Sequence, residues 1–322
     1  MKPFRKNVAI SIDGGGIRGI IPARALMMLE EQLGKTCHEI FRLCVGTSTG
    51  SVLAAGIARG LTAEQMLNLY LKMGKDVFKK TLRSRLWFSV NFRYPRPPLE
   101  KALRENLGEA TMSDLWNEEP PTDLVVTSFD TITNSTRFIK SWKPEYEVWP
   151  VYKAVLASAA APTYFPVVDG HFVDGGVGSY NNPCYLAAYE IQFCLNWRLE
   201  ETTLISLGTG RAPGGLKFGE ADRFLPMHWI APLLDGFAHS ADDQQVHLVN
   251  SLFSSLDFRR FQVDLDQPIR LDRLSDIPNL MKYGEKMGRM LLNDQLDRAH
   301  KIALSRPRIP RRNKSSKSGP TT

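Results

Sequence analysis

Residues 41–55 read FRLCVGTSTGSVLAA, an apolar run that breaks at Gly46-Thr47-Ser48-Thr49-Gly50 and resumes as a small-residue helical pattern. The five central letters fit G-x-S-x-G, the strand–turn–helix device that lifts a serine hydroxyl off the end of a sheet. Gly46 and Gly50 would let backbone and substrate come close, and the positive end of the following helix would favour developing negative charge. A glycine-rich turn with an incidental serine carries the same letters, so the weight falls on what surrounds Ser48.

Upstream, residues 8–13 (VAISID) read as a buried strand, followed by GGGIRG at 14–19. A helix is expected over 20–33, with Leu26, Leu29 and Leu33 on one face. The second strand is 41–47 and the next helix 49–59, and Thr62-Ala63-Glu64-Gln65 opens a third helix with a capping box. This β-α-β-α order predicts an α/β fold, a mostly parallel sheet with helices on its faces. Further strands are expected at 123–129, 136–142, 167–173, 203–207 and 258–265. Further helices are expected at 151–160, from Asn182-Pro183 onward, at 241–252 and at 277–304.

The chain has 322 residues, enough for one large domain or two small ones. No apolar run approaches the roughly 20 residues that span a bilayer. The basic start MKPFRKNVAISID reaches Asp13 too soon for a signal peptide. Cys37, Cys44, Cys184 and Cys194 lack metal-ligand spacing and are expected as reduced thiols of a cytoplasmic protein. Of 41 Lys and Arg, six lie from Arg306 onward with no acid among them, and the other 35 face 34 acidic residues. The folded body is thus about neutral, which argues against a basic surface for DNA or RNA. Residues 306–322 are expected to form a disordered basic tail beyond one domain at 1–305. Residues 75–121 break the α/β rhythm. They interleave Lys79, Lys80, Arg83, Arg85, Arg93 and Arg96 with Phe78, Trp87, Phe88, Phe92 and Tyr94. Such a stretch reads as a solvated insertion, or as a lid or binding surface for anionic head groups.

Gly14-x-Gly16-x-x-Gly19 also matches the dinucleotide fingerprint, but that motif wants an acid at the end of the second strand, where Gly46-Thr47-Ser48 stands. Consecutive amides at a helix start, Gly14 to Arg18, suit an oxyanion better. A nucleophilic serine needs a base. His38, His171, His228, His239, His247 and His300 all stand in unremarkable settings, and His171 alternates out of phase with Asp174 on its strand. Asp174, at a strand end and freed by Gly175 and Gly176, is the best acid.

Together, Asp13-Gly14-Gly15-Gly16-Ile17-Arg18-Gly19, Gly46-Thr47-Ser48-Thr49-Gly50 and Asp174-Gly175-Gly176 resemble, in order, the three signature blocks of patatin-like phospholipases. Ser158-Ala159-Ala160-Ala161-Pro162, Tyr164-Phe165-Pro166 and Ser206-Leu207-Gly208-Thr209-Gly210 are similar too, so the resemblance spans about 7–210. It implies a three-layer α/β/α fold and hydrolysis of membrane phospholipid esters without metal or cofactor. It further implies Ser48 as nucleophile, Asp174 as general base, and an oxyanion hole from the amides of Gly15 and Gly16, with Ile17 a further donor. An unperturbed aspartate titrates near 3.9, so Asp174 can serve only if desolvation raises its pKa or if proton transfer is concerted with attack.

The rival readings are an α/β-hydrolase with a Ser–Asp–His triad and a non-catalytic protein that binds a nucleotide phosphate in the glycine loop. The run from Ser11 through Arg24 resembles phospholipase effectors of bacterial antiphage systems. That resemblance implies activation by a cyclic dinucleotide, with residues 79–96 as one place for the activator or for the membrane. Peripheral membrane association, helped by the basic tail, is the corresponding expectation, and the oligomeric state stays open.

Overall fold

The computed structural model describes residues 1–79 and 91–299. Among them, seven strands form one sheet: β1 (Asn7–Ile12), β2 (Leu43–Thr47), β3 (Asp123–Asp130), β4 (Ser135–Lys140), β5 (Phe172–Asp174), β6 (Thr202–Leu207) and β7 (Asp257–Phe261). Their order in space is β4-β3-β2-β1-β6-β7, with β5 also paired to β3. The β1, β2, β3, β6 and β7 strands run parallel, while β4 and β5 lie antiparallel to β3.

Helices cover both faces: α1 (Ile20–Leu33), α2 (Cys37–Ile40), α3 (Thr49–Ala58), α4 (Ala63–Val77), α5 (Arg96–Leu107), α6 (Val151–Ser158), α7 (Cys184–Tyr189), α8 (Ile230–Leu252) and α9 (Ile277–Leu292). Alternation along the strands sorts the core into two layers. Ile10, Ile12, Cys44, Leu124, Val126 and Ile205 pack with α1, α3, α4, α5, α6 and α9. Ala9, Leu43, Val45, Val125 and Leu204 pack with α7 and α8. The result is the three-layer α/β/α architecture expected. Thr62 caps α4 with Gln65 reaching back, as its capping box predicted.

Two junctions place the site. The β2 strand ends with Thr47 opposite Thr127 of β3, and Ser48 turns the chain into α3. Beyond that point β5 takes over the vacated edge of β3, with Asp174 opposite Ser128. Asp174 is therefore delivered to the tip of β2.

Several boundaries differ from the sequence reading. The strand expected at 167–173 shrinks to Phe172–Asp174, because Asp169 (φ 47°) and Gly170 (φ 79°) make a tight turn that folds Val168 back onto Phe172. The helix expected over 277–304 stops at Leu292. Asp297 instead donates its amide to Arg260 O (2.8 Å) and accepts from Arg211, so the chain leaves the helix to satisfy two arginines. The helix expected from 241 begins earlier, at Ile230. Within residues 75–121, α5 buries Leu99, Ala102, Leu103 and Leu107 against the core. Lys80, Arg83, Arg85, Trp87, Phe88, His300 and the basic tail lie outside the described residues. Among those described, Cys37, Cys44 and Cys184 are buried, Cys194 is exposed, and no helix is long and apolar enough to cross a membrane.

Candidate active site

Ser48 adopts φ 52° and ψ −121°, a left-handed backbone that a non-glycine residue holds only under constraint. The constraint is visible on both sides. A Cβ on Gly50 would strike the carbonyl of Ile12, and one on Gly46 would strike the backbone of Gly50, so only glycines allow β1, β2 and α3 to meet so closely. Behind the turn, the Ser48 amide donates to Ser158 Oγ (2.9 Å) on α6, and Ser51 Oγ donates to Ser48 O (2.6 Å). Thr47 Oγ1 donates to Tyr180 O (2.6 Å), which leaves Thr127 Oγ1 as the donor in their 2.7 Å contact. Buried hydroxyls thus over-determine the strained turn from below.

Asp174 is held as firmly. Its amide donates to Ala160 O (3.0 Å), and Oδ1 accepts from the Gly176 amide (2.8 Å). Ser128 Oγ, opposite it on β3, contacts both Ala157 O and Val173 O at 2.9 Å, tying β5 to α6. The carboxyl is buried, and that burial pushes its pKa up to about 6 against the opposing hydrogen bonds from the Ser48 hydroxyl and the Gly176 amide. The desolvation that a lone aspartate base requires is therefore present.

The glycine loop runs beside them. The Gly14 amide donates to Asn181 O (2.9 Å), that of Ile17 to Leu271 O (2.9 Å) and that of Arg18 to Gly15 O (3.2 Å). These three donors are already committed, so of the five amides expected to form the anion cradle, those of Gly14, Ile17 and Arg18 are turned to the protein's own carbonyls. Gly16 needs its φ of 58°, and a Cβ there would run into Leu271. The Arg18 side chain reaches Gly15 O (3.3 Å) and Gly210 O (3.4 Å), bracing the loop's own backbone; burial lowers its pKa while Asp13 opposes the shift.

Beneath the loop lies a feature the sequence reading missed. Arg260 of β7 grips Asp13 with both nitrogens, Nη1 to Oδ1 (2.7 Å) and Nη2 to Oδ2 (2.5 Å), and both side chains are buried. Arg260 also donates to Ser206 Oγ (2.9 Å) and lies 3.4 Å from Asp242 Oδ1, which accepts from Asn182 Nδ2 (2.6 Å). Burial alone would lower the Arg260 pKa, but Asp13 and Asp242 hold it well above the ordinary value. The available signal was charge in an apolar strand, DFRRF at 257–261.

An apolar pocket opens beside Ser48. Ile17, Val52, Val77, Phe78, Leu99, Phe165 and Leu271 supply its walls. Tyr70 also lines it, but its hydroxyl is engaged with Thr49, accepting from Oγ1 (2.7 Å) and donating to the carbonyl (2.5 Å). Among the described residues no histidine lines this pocket. His38 is buried with Nδ1 on Ile57 O (2.9 Å), and His171 turns to Asp169 O (2.8 Å).

A serine on a strained strand–helix turn, a desolvated aspartate against it and a glycine loop beside them make a hydrolase-like site on a three-layer α/β/α fold. Residues 10–188 match the family model described as patatin-like phospholipase, which is more than half of the chain. The chain belongs to the patatin-like phospholipase family. It is 31% identical over 222 residues to the intracellular phospholipase A2 of Caenorhabditis elegans, covering 63% of this chain and 19% of that protein. It is 30% identical over 192 residues to the cGAMP-activated phospholipase of Pseudomonas aeruginosa, covering 57% of this chain and 56% of that protein. The chain thus spans between a fifth and a little over half of these relatives. VipD of Legionella pneumophila superposes with a TM-score of 0.48 at 12% identity, over 90% of this chain and 67% of that one.

Proposed function

We propose that this protein is a lipid acyl hydrolase that releases fatty acids from membrane phospholipids through Ser48 and Asp174. The observation that carries the reading is the buried Asp174 carboxyl against the Ser48 hydroxyl, at the mouth of a pocket whose walls are apolar. An alkyl chain suits such walls, whereas among the described residues no Lys or Arg lines the pocket to meet a nucleotide phosphate.

In this mechanism Ser48 Oγ attacks the ester carbonyl while its proton passes to Asp174. The amides of Gly15 and Gly16 receive the charge that develops on the carbonyl oxygen. Collapse of the tetrahedral species breaks the C–O bond, and Asp174 returns the proton to the departing lysolipid alcohol. Water then gives a proton to Asp174 and attacks the acyl-serine, which releases the fatty acid and restores the Ser48 hydroxyl. Purified protein should release fatty acid from phospholipid vesicles, and an alkyl fluorophosphonate should label the Ser48 peptide and stop that release. Labelling elsewhere, or release that survives complete labelling, would refute the assignment.

The pH profile follows from the base. Asp174 must be ionised to accept a proton, and its pKa is raised to about 6. Hence kcat/KM should climb about tenfold per pH unit below that value and level off above it. A profile flat down to pH ~4.5 would mean that another group accepts the proton.

The similarity to a cGAMP-activated phospholipase supports a second layer, activation by a cyclic dinucleotide, and a role in antiphage defence is what the sequence resemblance at Ser11 to Arg24 adds to it. On that reading, basal release from vesicles rises when a cyclic dinucleotide is added. Constitutive release indifferent to a panel of them removes the idea. Peripheral contact with the bilayer follows from the substrate, and vesicle co-sedimentation of the full chain tests it.

A further inference from the structure

One wall of the pocket is supplied by a segment beyond the stretch that matches the family. Leu271 lines the pocket, its carbonyl accepts from Ile17 (2.9 Å), and it lies against Gly16. One residue further on, Asp272 is nearly buried and gripped by a distant strip of the chain. Its Oδ2 accepts from Arg93 Nη1 (2.7 Å) and Tyr94 Oη (2.9 Å), while Arg270 Nε stands 3.5 Å from Oδ1. The gripping strip is itself anchored, since the amides of Arg93 and Tyr94 donate to Thr163 O and Tyr164 O, both at 2.8 Å. The Arg93 guanidinium stacks on Tyr164 at 4.6 Å, and Tyr94 meets the pocket walls Phe78 (5.3 Å) and Phe165 (6.0 Å). Three distant segments, 91–94, 163–165 and 269–273, therefore close round the pocket through one carboxylate.

We propose that Asp272 is a positioning residue for acyl-chain specificity: clamped by Arg93 and Tyr94, it fixes Leu271 as a wall of the pocket, so that selection of a long alkyl chain depends on this ion pair. The proposal rests on the acyl-hydrolase reading and deepens it. Because Leu271 also holds the Ile17 amide, loosening the clamp touches every substrate to some degree. A long chain, which needs the whole wall, suffers most.

The test compares p-nitrophenyl palmitate with p-nitrophenyl butyrate for wild type, Asp272→Asn, Leu271→Ala and the milder Arg93→Lys, with thermal melting as the folding control. The expected result is a fall of about tenfold in the palmitate-to-butyrate ratio of kcat/KM for each variant that melts cooperatively, as for a pocket that loses part of one wall. An unchanged ratio, or equal losses on both esters, overturns the proposal. Binding of cis-parinaric acid, a fluorescent long-chain fatty acid, is read in parallel. It should weaken in the same variants, and unchanged affinity also counts against the clamp. If wild type hydrolyses neither ester yet binds the fatty acid in an Asp272-dependent way, the enzymatic reading fails and the clamp stands.

Discussion

Asp174→Asn is expected to lower fatty-acid release by about 10⁴-fold, Ser48→Ala by at least as much, and the double variant by no more than the worse single one. The asparagine is nearly isosteric and can keep the Gly176 hydrogen bond, so the loss reports the missing base rather than a collapsed turn. The same substitution should stabilise the fold at neutral pH. A carboxyl whose folded pKa lies above its unfolded value binds more protons when folded, so its contribution to stability declines as pH rises from about 4 to about 6. Above that window the ionised, desolvated carboxylate costs about 3 kcal/mol, the equivalent of its displacement from 3.8 to about 6. Asp174→Asn should therefore melt several degrees higher than wild type at pH ~8, with the gap closing below pH ~4. An inactive variant without that pH-dependent gap would show that Asp174 is not strained in the resting enzyme. Full activity in Asp174→Asn would end the dyad and reopen the search for a histidine.

The second large effect is expected at Arg260, more than 200 positions from Ser48 in sequence. Arg260→Met leaves Asp13 buried without its guanidinium, which costs about 3–5 kcal/mol when one partner of a buried pair is removed. Melting should drop by roughly 10 °C, and catalysis should fall as the glycine loop loses its footing. Adding Asp13→Asn should recover much of the stability, because the buried charge is gone. Recovery of stability without recovery of kcat would show that the pair positions the loop as well as supporting it. If Arg260→Met melts like wild type, Asp13 has found other partners and the pair is not what anchors the loop.

These two sites mark the limit of what was legible in the sequence. The strand–helix alternation could be read because three of the inner strands, β1, β2 and β6, are short apolar runs that meet a glycine at Gly14, Gly46 and Gly208. Ser48 announced itself because its turn is local. Asp174 could be picked out only beside the other two blocks, for its strand is three residues long and carries no period. Ser158 was quoted as part of a block, but its hold on the Ser48 amide exists only once α6 is packed behind the elbow. Arg260 and Asp272 were missed because they belong to no motif. Each acts through a partner far away in sequence, and only the fold brings the two together. The end of α9 was misjudged for the same reason, since Arg211 and the Arg260 carbonyl draw the chain out of a helix its own residues would have continued.

The handover on β3, where β5 occupies the edge that β2 leaves, also makes the site depend on segments far apart in the chain. The elbow, its glycines and α3 are complete by residue 58, yet the carboxylate arrives only when a hairpin much later in the chain closes onto β3. A chain cut before β5 would lack both Asp174 and Tyr180, whose carbonyl helps to hold the Ser48 turn. On the acyl-hydrolase reading, a chain that lacks these later segments is expected to be inert.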